Sequence, residues 1–356
     1  LIVGNEEFNA FMFNSKNIPL YIASLGVIFV VGTLAKQIKN PLETNNEYEM
    51  IKNYLLNESP LYGYNRPKLW IHSKYEINSR KWKDFHSRNT TDLNQDYVHL
   101  TIKTIINHCG EDFNICLIDD DSFSKLLPDW DVDVLNMAEP RKSNYRAMGM
   151  AQLLYVYGGM TLPNSFVCLK NLKNFYDEHV AKKTAFVCEA INRTTNISEA
   201  TSSGFIPSID IMGADKGNQT ILKLVNYLKN LNMNGHFTDE NAFKGSIQYF
   251  CKQQIQDQDL LLVGGEMIGI KTNKNKPILI EDLCEEAYLD LHPHVIGIQI
   301  PSEDILKRTK YQWFAVMNAQ QLLDTNMIVS KYIKASITDT TNEYYKDTKQ
   351  RCVVTI

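Results

Sequence analysis

The stretch Arg146-Ala-Met-Gly-Met-Ala-Gln-Leu-Leu-Tyr-Val-Tyr-Gly158-Gly159-Met-Thr-Leu-Pro163-Asn-Ser165 constrains the fold more than any other part of the chain. It reads as an apolar helix, then Tyr-Gly-Gly, then a short strand. Upstream, Lys68-Leu-Trp-Ile-His-Ser73 is an apolar strand preceded by Pro67. Leu93 to Cys109 carries Val98, Ile102, Ile105 and Ile106 on one helical stripe, with Asp92 as a cap. Phe113-Asn-Ile-Cys-Leu-Ile118 is a second buried strand, ending at Asp119-Asp120-Asp121. Strand, helix and strand in this order imply a crossover connection and a parallel sheet.

The rest of the chain continues the alternation. Strands are expected at Thr184–Cys188 and Ser208–Gly213, and helices at Gln219–Leu231 and Asp239–Gln254. Leu260 to Ile300 holds short strands such as Met267–Lys271, and Ile305 to Ala335 reads as helical, with Trp313, Phe314, Met317 and Leu322 on its apolar face. A chain of 356 residues can bury a sizeable core. Its net charge of −4 supplies no basic footprint for nucleic acid. The 7 cysteines are an odd set without a Cys-x-x-Cys pair, which speaks against a disulfide framework or a zinc ribbon and for small buried hydrophobes in a reducing compartment. Asn-x-Ser/Thr sequons begin at Asn57, Asn89, Asn192, Asn196 and Asn218, and in so Asn-rich a chain they read as accidental.

Ile18 to Ala35 is a run of 18 residues without a charge. At about 1.5 Å per residue it nearly spans a hydrocarbon core of roughly 30 Å. A buried core helix would show a polar face, and a signal peptide would follow a basic start, whereas Glu6, Glu7 and only Lys16 precede this run. The expected organisation is therefore a tail over 1–17, a transmembrane helix over 18–36, and a linker over 37–66 with a short helix around Glu47–Leu56. A globular domain over 67–335 and a tail over 336–356 follow. Lys36 and Lys39 after the run, against Lys16 before it, place the large domain on the cytoplasmic side.

The Tyr-Gly-Gly frame resembles the nucleotide-sugar glycosyltransferases of the capsular-polysaccharide-synthesis and Och1-like families. Their pattern runs roughly Ser-Asp-x-x-Arg-x-x-x-Leu-Tyr-x-Tyr-Gly-Gly-x-x-x-Asp-x-Asp. Leu154, Tyr155, Tyr157, Gly158 and Gly159 match it without a gap. Ala147 stands where the family has Asp, Met150 where it has Arg, and Pro163-Asn164-Ser165 where it has the metal-binding Asp-x-Asp. The resemblance covers roughly Pro67 to Ile300. It implies a GT-A-like (Rossmann-like) α/β fold with a mixed, mostly parallel sheet flanked by helices, here preceded by one transmembrane helix. The chain is also similar to membrane-anchored proteins of large nucleocytoplasmic DNA viruses that resemble these enzymes but lack the metal motif. That implies a minor capsid protein joining an inner membrane to an icosahedral shell.

The departures matter because hard cations such as Mg²⁺ and Mn²⁺ take oxygen ligands, and the metal offsets charge on the departing nucleotide. Pro163 offers no side-chain ligand and Ser165 only a neutral hydroxyl. The first reading is thus a catalytically degenerate, membrane-tethered structural protein with no metal or other cofactor. Its partners would be the lipid bilayer and other proteins such as capsid proteins, and its pocket would be filled by side chains such as Met150 and Phe166. The alternative is an active glycosyltransferase using Mn²⁺ or Mg²⁺ with a nucleotide sugar near Asp119 and Asp121, at the carboxyl end of a parallel strand. Asp121 or Ser122 capping the next helix is the plainer account of that turn. A third option is a carbohydrate-binding module that kept acceptor recognition. Asp129, Asp131, Asp133, Asp257 and Asp259 form further Asp-x-Asp strings, and His292 and His294 an isolated pair, which read as loop positions. Trp70, His72, Asn78, Arg80 and Trp82 make a polar-aromatic cluster that borders a nucleotide or packs the sheet edge. No Walker loop, dinucleotide fingerprint, Gly-x-Ser-x-Gly or zincin signature occurs.

Overall fold

The computed structural model describes residues 66–73, 95–180, 184–193, 196, 205–234 and 240–338. The apolar run Ile18–Ala35, the helix around Glu47–Leu56, Asn57, Asn78, Arg80, Trp82, Asn89, Asp92 and Cys352 lie outside these residues. Among the described residues no helix is long and apolar enough to cross a membrane.

Six strands form the main sheet: β1 (Lys68–His72), β2 (Asn114–Ile118), β3 (Gly159–Pro163), β5 (Ala185–Glu189), β6 (Pro207–Ala214) and β7 (Leu260–Val263). Their spatial order is β2-β1-β3-β6-β5-β7, parallel throughout except that β6 runs against its neighbours β3 and β5. The chain is thus a mixed, mostly parallel α/β protein. β4 (Phe166–Cys168) pairs antiparallel with β8 (Gly297–Gln299) in a second small sheet.

Both faces of the main sheet are covered, so its inner strands read as continuous apolar runs. Leu69, Ile71, Ile115 and Leu117 face one core, with helix α1 (Asp96–Cys109), β4 and the C-terminal helices. Trp70, Cys116 and Ile118 point the other way, toward α2 (Ser122–Leu126) and Leu153 of α3 (Arg141–Tyr157). Helices α5 (Gln219–Asn234) and α6 (Glu240–Gln256) extend that second layer over β5 and β6, while α4 (Lys173–Val180) contributes Phe175 and Tyr176 to the first. Burying a side chain the size of Ile71 contributes about 1.5–3 kcal/mol before conformational entropy is deducted.

The Tyr-Gly-Gly corner has a plain steric cause. The Gly158 N–H closes α3 on the Leu154 carbonyl (2.9 Å), and the chain then turns at φ +71° and +102° through Gly158 and Gly159 into β3. A Cβ on Gly159 would lie 2.1 Å from the Lys68 carbonyl oxygen, because β3 enters hard against β1. The Trp70 indole N–H donates to the Gly158 carbonyl (3.0 Å), and the Tyr157 hydroxyl to Leu126 O (2.7 Å). Leu154 is fully buried, and Tyr155 packs beside the same core.

Two expectations are corrected. Helix α1 begins at Asp96 with Gln95 at the cap position, and the Asp92 expected to cap it lies outside the described residues. Met267–Lys271 is not a strand; Lys271 makes only an isolated bridge to Pro277. Ile305–Ala335 is not one helix but α8 (Ser302–Lys307), a 3-10 turn at Thr309–Tyr311, α9 (Gln312–Val316), α10 (Ala319–Leu323) and α11 (Ile328–Thr338), preceded by α7 (Ile280–Cys284). Extended backbone at Met317 and a capping box between Asn318 and Gln321 restart the chain there: the Gln321 N–H donates to Asn318 (2.7 Å), and the Asn318 N–H to the Gln321 side chain (3.0 Å).

Candidate functional site

The strand order reverses at β1, which has β2 on one side and β3 on the other. Open α/β sheets bind ligands outside the carboxyl ends of the strands at such a switch point. A cavity of about 190 Å³ lies there. His72 and Ser73 reach it from the end of β1, Pro163, Asn164 and Ser165 from the end of β3, and Arg146, Ala147 and Met150 from α3. The opening has a local cause. The Thr161 hydroxyl accepts the Met212 N–H (3.1 Å), and the β3–β6 ladder goes no further, although β3 stays paired to β1 as far as Pro163. Past that point Ile209 and Asp210 of β6 form the facing wall.

All four positions where the chain departs from the glycosyltransferase pattern, Ala147, Met150, Pro163 and Ser165, therefore line one cavity. The cavity is open, which corrects the expectation that Met150 and Phe166 fill it. Met150 lines it, but Phe166 is fully buried in the core on β4. The Ser165 hydroxyl donates to Ile300 O (3.0 Å), and the Ile300 N–H returns a bond to Ser165 O (3.1 Å).

Two charged networks border this space. Asp120 accepts from Arg146 through both oxygens, Nε to Oδ1 and Nη2 to Oδ2, each at 2.7 Å. His72 Nε2 lies 3.1 Å from Oδ1, and Lys142 Nζ 3.5 Å from Oδ2. Burial by itself would raise the Asp120 pKa, but the hydrogen bonds from Arg146 and His72 and the nearby positive charge outweigh it and hold the carboxyl well below the usual range. In the second network Arg193 bridges two carboxylates, with Nη2 2.5 Å from Asp210 Oδ2 and Nη1 3.4 Å from Glu303 Oε2. Lys244 also grips Glu303, at 2.9 and 2.8 Å. A second cavity of about 110 Å³ shares Ser143, Ala147, Arg193, Ile209, Asp210 and Glu303 with the first, so the Arg193 bridge borders both.

The residues do not fit a resident divalent metal. Pro163 has no side-chain ligand atom, the Ser165 hydroxyl is committed to Ile300, and Asp210 and Glu303 are engaged by Arg193. Among the described residues, no group of three or more His, Cys, Asp or Glu side chains is placed to hold a metal ion. Asp119 caps α2, accepting from the Ser122 N–H (3.0 Å) and hydroxyl (2.7 Å), and Asp121 is exposed; neither lines the cavity. Asp121 stands at the expected cap position but makes no side-chain cap hydrogen bond; the capping contacts run between Asp119 and Ser122, whose hydroxyl also accepts the Asp119 N–H (3.1 Å). Trp70 is fully buried, while His72 from the same expected cluster lines the cavity. His292 and His294 are loop residues with ring centroids 5.6 Å apart.

Sequence reasoning missed Asp120, Arg193, Asp210 and Glu303. For Asp120 a signal existed, since it follows Ile118 at the end of a buried strand; the Asp-x-Asp string selected the two acids flanking it instead. The other three come from separate segments and carry no local motif.

A mixed α/β sheet with a crevice at its switch point is the class that fold and site define. No family model matches the chain, and no curated protein matches it. Among solved structures it is similar to the glycosyltransferase GlyE of Streptococcus pneumoniae TIGR4, at 9% identity and a TM-score of 0.40, over 76% of this chain and 64% of that one. It is also similar to the galactosyltransferase LgtC in complex with donor and acceptor sugar analogs (6% identity, TM-score 0.38, 79% of this chain and 99% of that one). A third is the PaToxG glycosyltransferase (11% identity, TM-score 0.30, 76% and 86%). The chain thus spans less than two-thirds of the length of the GlyE chain it matches.

Proposed function

We propose that this chain is a glycosyltransferase-like scaffold whose donor cleft no longer handles a metal-bound diphosphate, kept for architecture at a membrane. One observation carries the reading: the four altered positions share one cavity, and the charges around it are already matched. Lys142, Arg146, Arg193 and Lys244 stand against Asp120, Glu139, Asp210 and Glu303, four of each among the described residues. A nucleotide diphosphate would bring two or more negative charges into a cleft whose described residues supply no surplus cation. An ion left unpaired in such a place costs several kcal/mol.

The anchor at Ile18–Ala35, cytoplasmic placement of the large domain, and a role as a minor capsid protein between an inner membrane and a shell belong to the same proposal. The charge-free run and the resemblance to viral proteins support them. The test of the cleft is a donor-hydrolysis assay with a panel of UDP- and GDP-sugars, with and without Mn²⁺, where no turnover is expected. Turnover of any donor that Met150→Arg or Ala147→Asp alters would overturn the reading. The test of the anchor is flotation with liposomes, which the full chain should show and a chain lacking 18–36 should lose; equal flotation of both would remove the anchor.

A further inference from the structure

We propose that Arg193 is the resident cation of the cleft, a built-in guanidinium held where a metal-dependent site of this shape would hold a divalent ion. The inference rests on reading the cleft as one that takes no metal-bound diphosphate, and its basis is how the two carboxylates are delivered.

Asp210 stands on β6, the strand beside β3, past the point where the Thr161 hydroxyl ends the ladder, so it faces the cavity that Pro163 lines from the other side. Glu303 lies three residues beyond Ile300, which is bonded in both directions to Ser165. The acids absent at positions 163 and 165 are thus replaced by acids from two other segments that border the same cavity. Both converge on one group, the Arg193 guanidinium, at 2.5 and 3.4 Å. The Arg193 side chain is 13% exposed, while Asp210 and Glu303 keep 35% and 26% of their side chains open to solvent, so the guanidinium is half-sheltered between two carboxylates at the cavity wall. A planar guanidinium satisfies two carboxylates through separate N–H donors and cannot be deprotonated. A hard divalent ion could use the same two carboxylates with water completing its shell, but only with Arg193 removed. Arg193 would then do for this fold what a metal does elsewhere: it neutralises two converging acids and straps β6 to α8.

The test uses the full chain, with metal binding and thermal stability as readouts. Wild type should bind no Mn²⁺ by calorimetry, and millimolar MnCl₂ should leave its Tm unchanged. Arg193→Ala should lower the Tm, and MnCl₂ should recover part of the loss through Mn²⁺ binding that calorimetry detects, at least about tenfold tighter than the weakest affinity the wild-type titration excludes. Adding Lys244→Ala, which frees Glu303 further, should tighten Mn²⁺ again, and adding Asp210→Asn should abolish it. Arg193→Lys, which keeps a cation but loses the planar fork, should still exclude Mn²⁺ and should lower the Tm by less than Arg193→Ala does. Should Arg193→Ala fail to fold, Arg193→Gln carries the same expectations. Mn²⁺ binding to wild type that Asp210→Asn removes, or Arg193 variants that neither lose stability nor gain Mn²⁺, would overturn the proposal. Metal-free binding of a nucleotide sugar to wild type would instead sink the proposed function and leave the role of Arg193 standing.

Discussion

Replacing Asp120 by Asn probes the clamp that fixes the cleft. Asp120 ties the end of β1, through His72, to the first turns of α3, through Arg146 and Lys142. The Asp120 and Arg146 side chains are 8% and 10% exposed, and their bond is bidentate at 2.7 Å. Breaking a buried pair of this kind costs about 3–5 kcal/mol, since the remaining charge is stranded. Asn can still accept one guanidinium N–H, and Glu139 lies 3.4 Å from Arg146, so the lower end applies. The expected loss is about 3 kcal/mol at pH 7, or about 6–12 °C in Tm at about 2–4 °C per kcal/mol. The pH dependence gives a second check. The folded Asp120 stays ionised below the unfolded value of about 3.9, so its contribution is complete above that pH and declines as pH falls beneath it. The stability gap between wild type and Asp120→Asn should therefore be about 1 kcal/mol smaller at pH 3 than at pH 7. Urea unfolding followed by tryptophan fluorescence measures both. A variant within about 0.5 kcal/mol of wild type at pH 7, the range of an ordinary surface change, or a gap that widens in acid, would refute the reasoning.

Gly159→Ala should cost more than about 3 kcal/mol or yield insoluble protein, because a Cβ there meets the Lys68 carbonyl oxygen at 2.1 Å and φ is +102°; soluble protein of unchanged Tm would contradict this. Glu189→Ala should cost about 3–5 kcal/mol in chemical denaturation, since Glu189 is 3% exposed, takes the Gly265 N–H (2.6 Å) and neutralises Lys271 (2.7 Å); a loss below about 1 kcal/mol would show that the pair is hydrated. Burial pushes the Cys116 thiol up to about 12, so at pH 8 it should resist a thiol reagent in the native state and react after urea unfolding, as peptide mapping would report; fast native labelling would refute its burial.

Much of the fold was legible because its signals are local. β1, α1 and β2 announce themselves by apolar runs and a helical stripe, and Tyr157-Gly158-Gly159 by a turn that only glycine can make beside β1. The positions of lost chemistry were legible too, because Ala147, Met150, Pro163 and Ser165 are read against a fixed frame. What replaces them was not. Arg193, Asp210 and Glu303 come from three separate segments and meet only when β6 runs antiparallel beside β3 and the chain after β8 returns to Ser165. The break-up of Ile305–Ala335 was hidden for a related reason. Apolar periodicity persists across Met317 and Asn318, while the capping box that stops one helix and starts the next depends on side-chain geometry.

The most direct test of the degenerate cleft is calorimetric titration of the full chain with UDP- and GDP-sugars in the presence of Mn²⁺. The expected result is no heat beyond dilution, meaning a Kd weaker than about 1 mM, with or without the metal. A Mn²⁺-dependent Kd in the micromolar range, abolished by Asp210→Asn, would contradict it and return the cleft to catalysis.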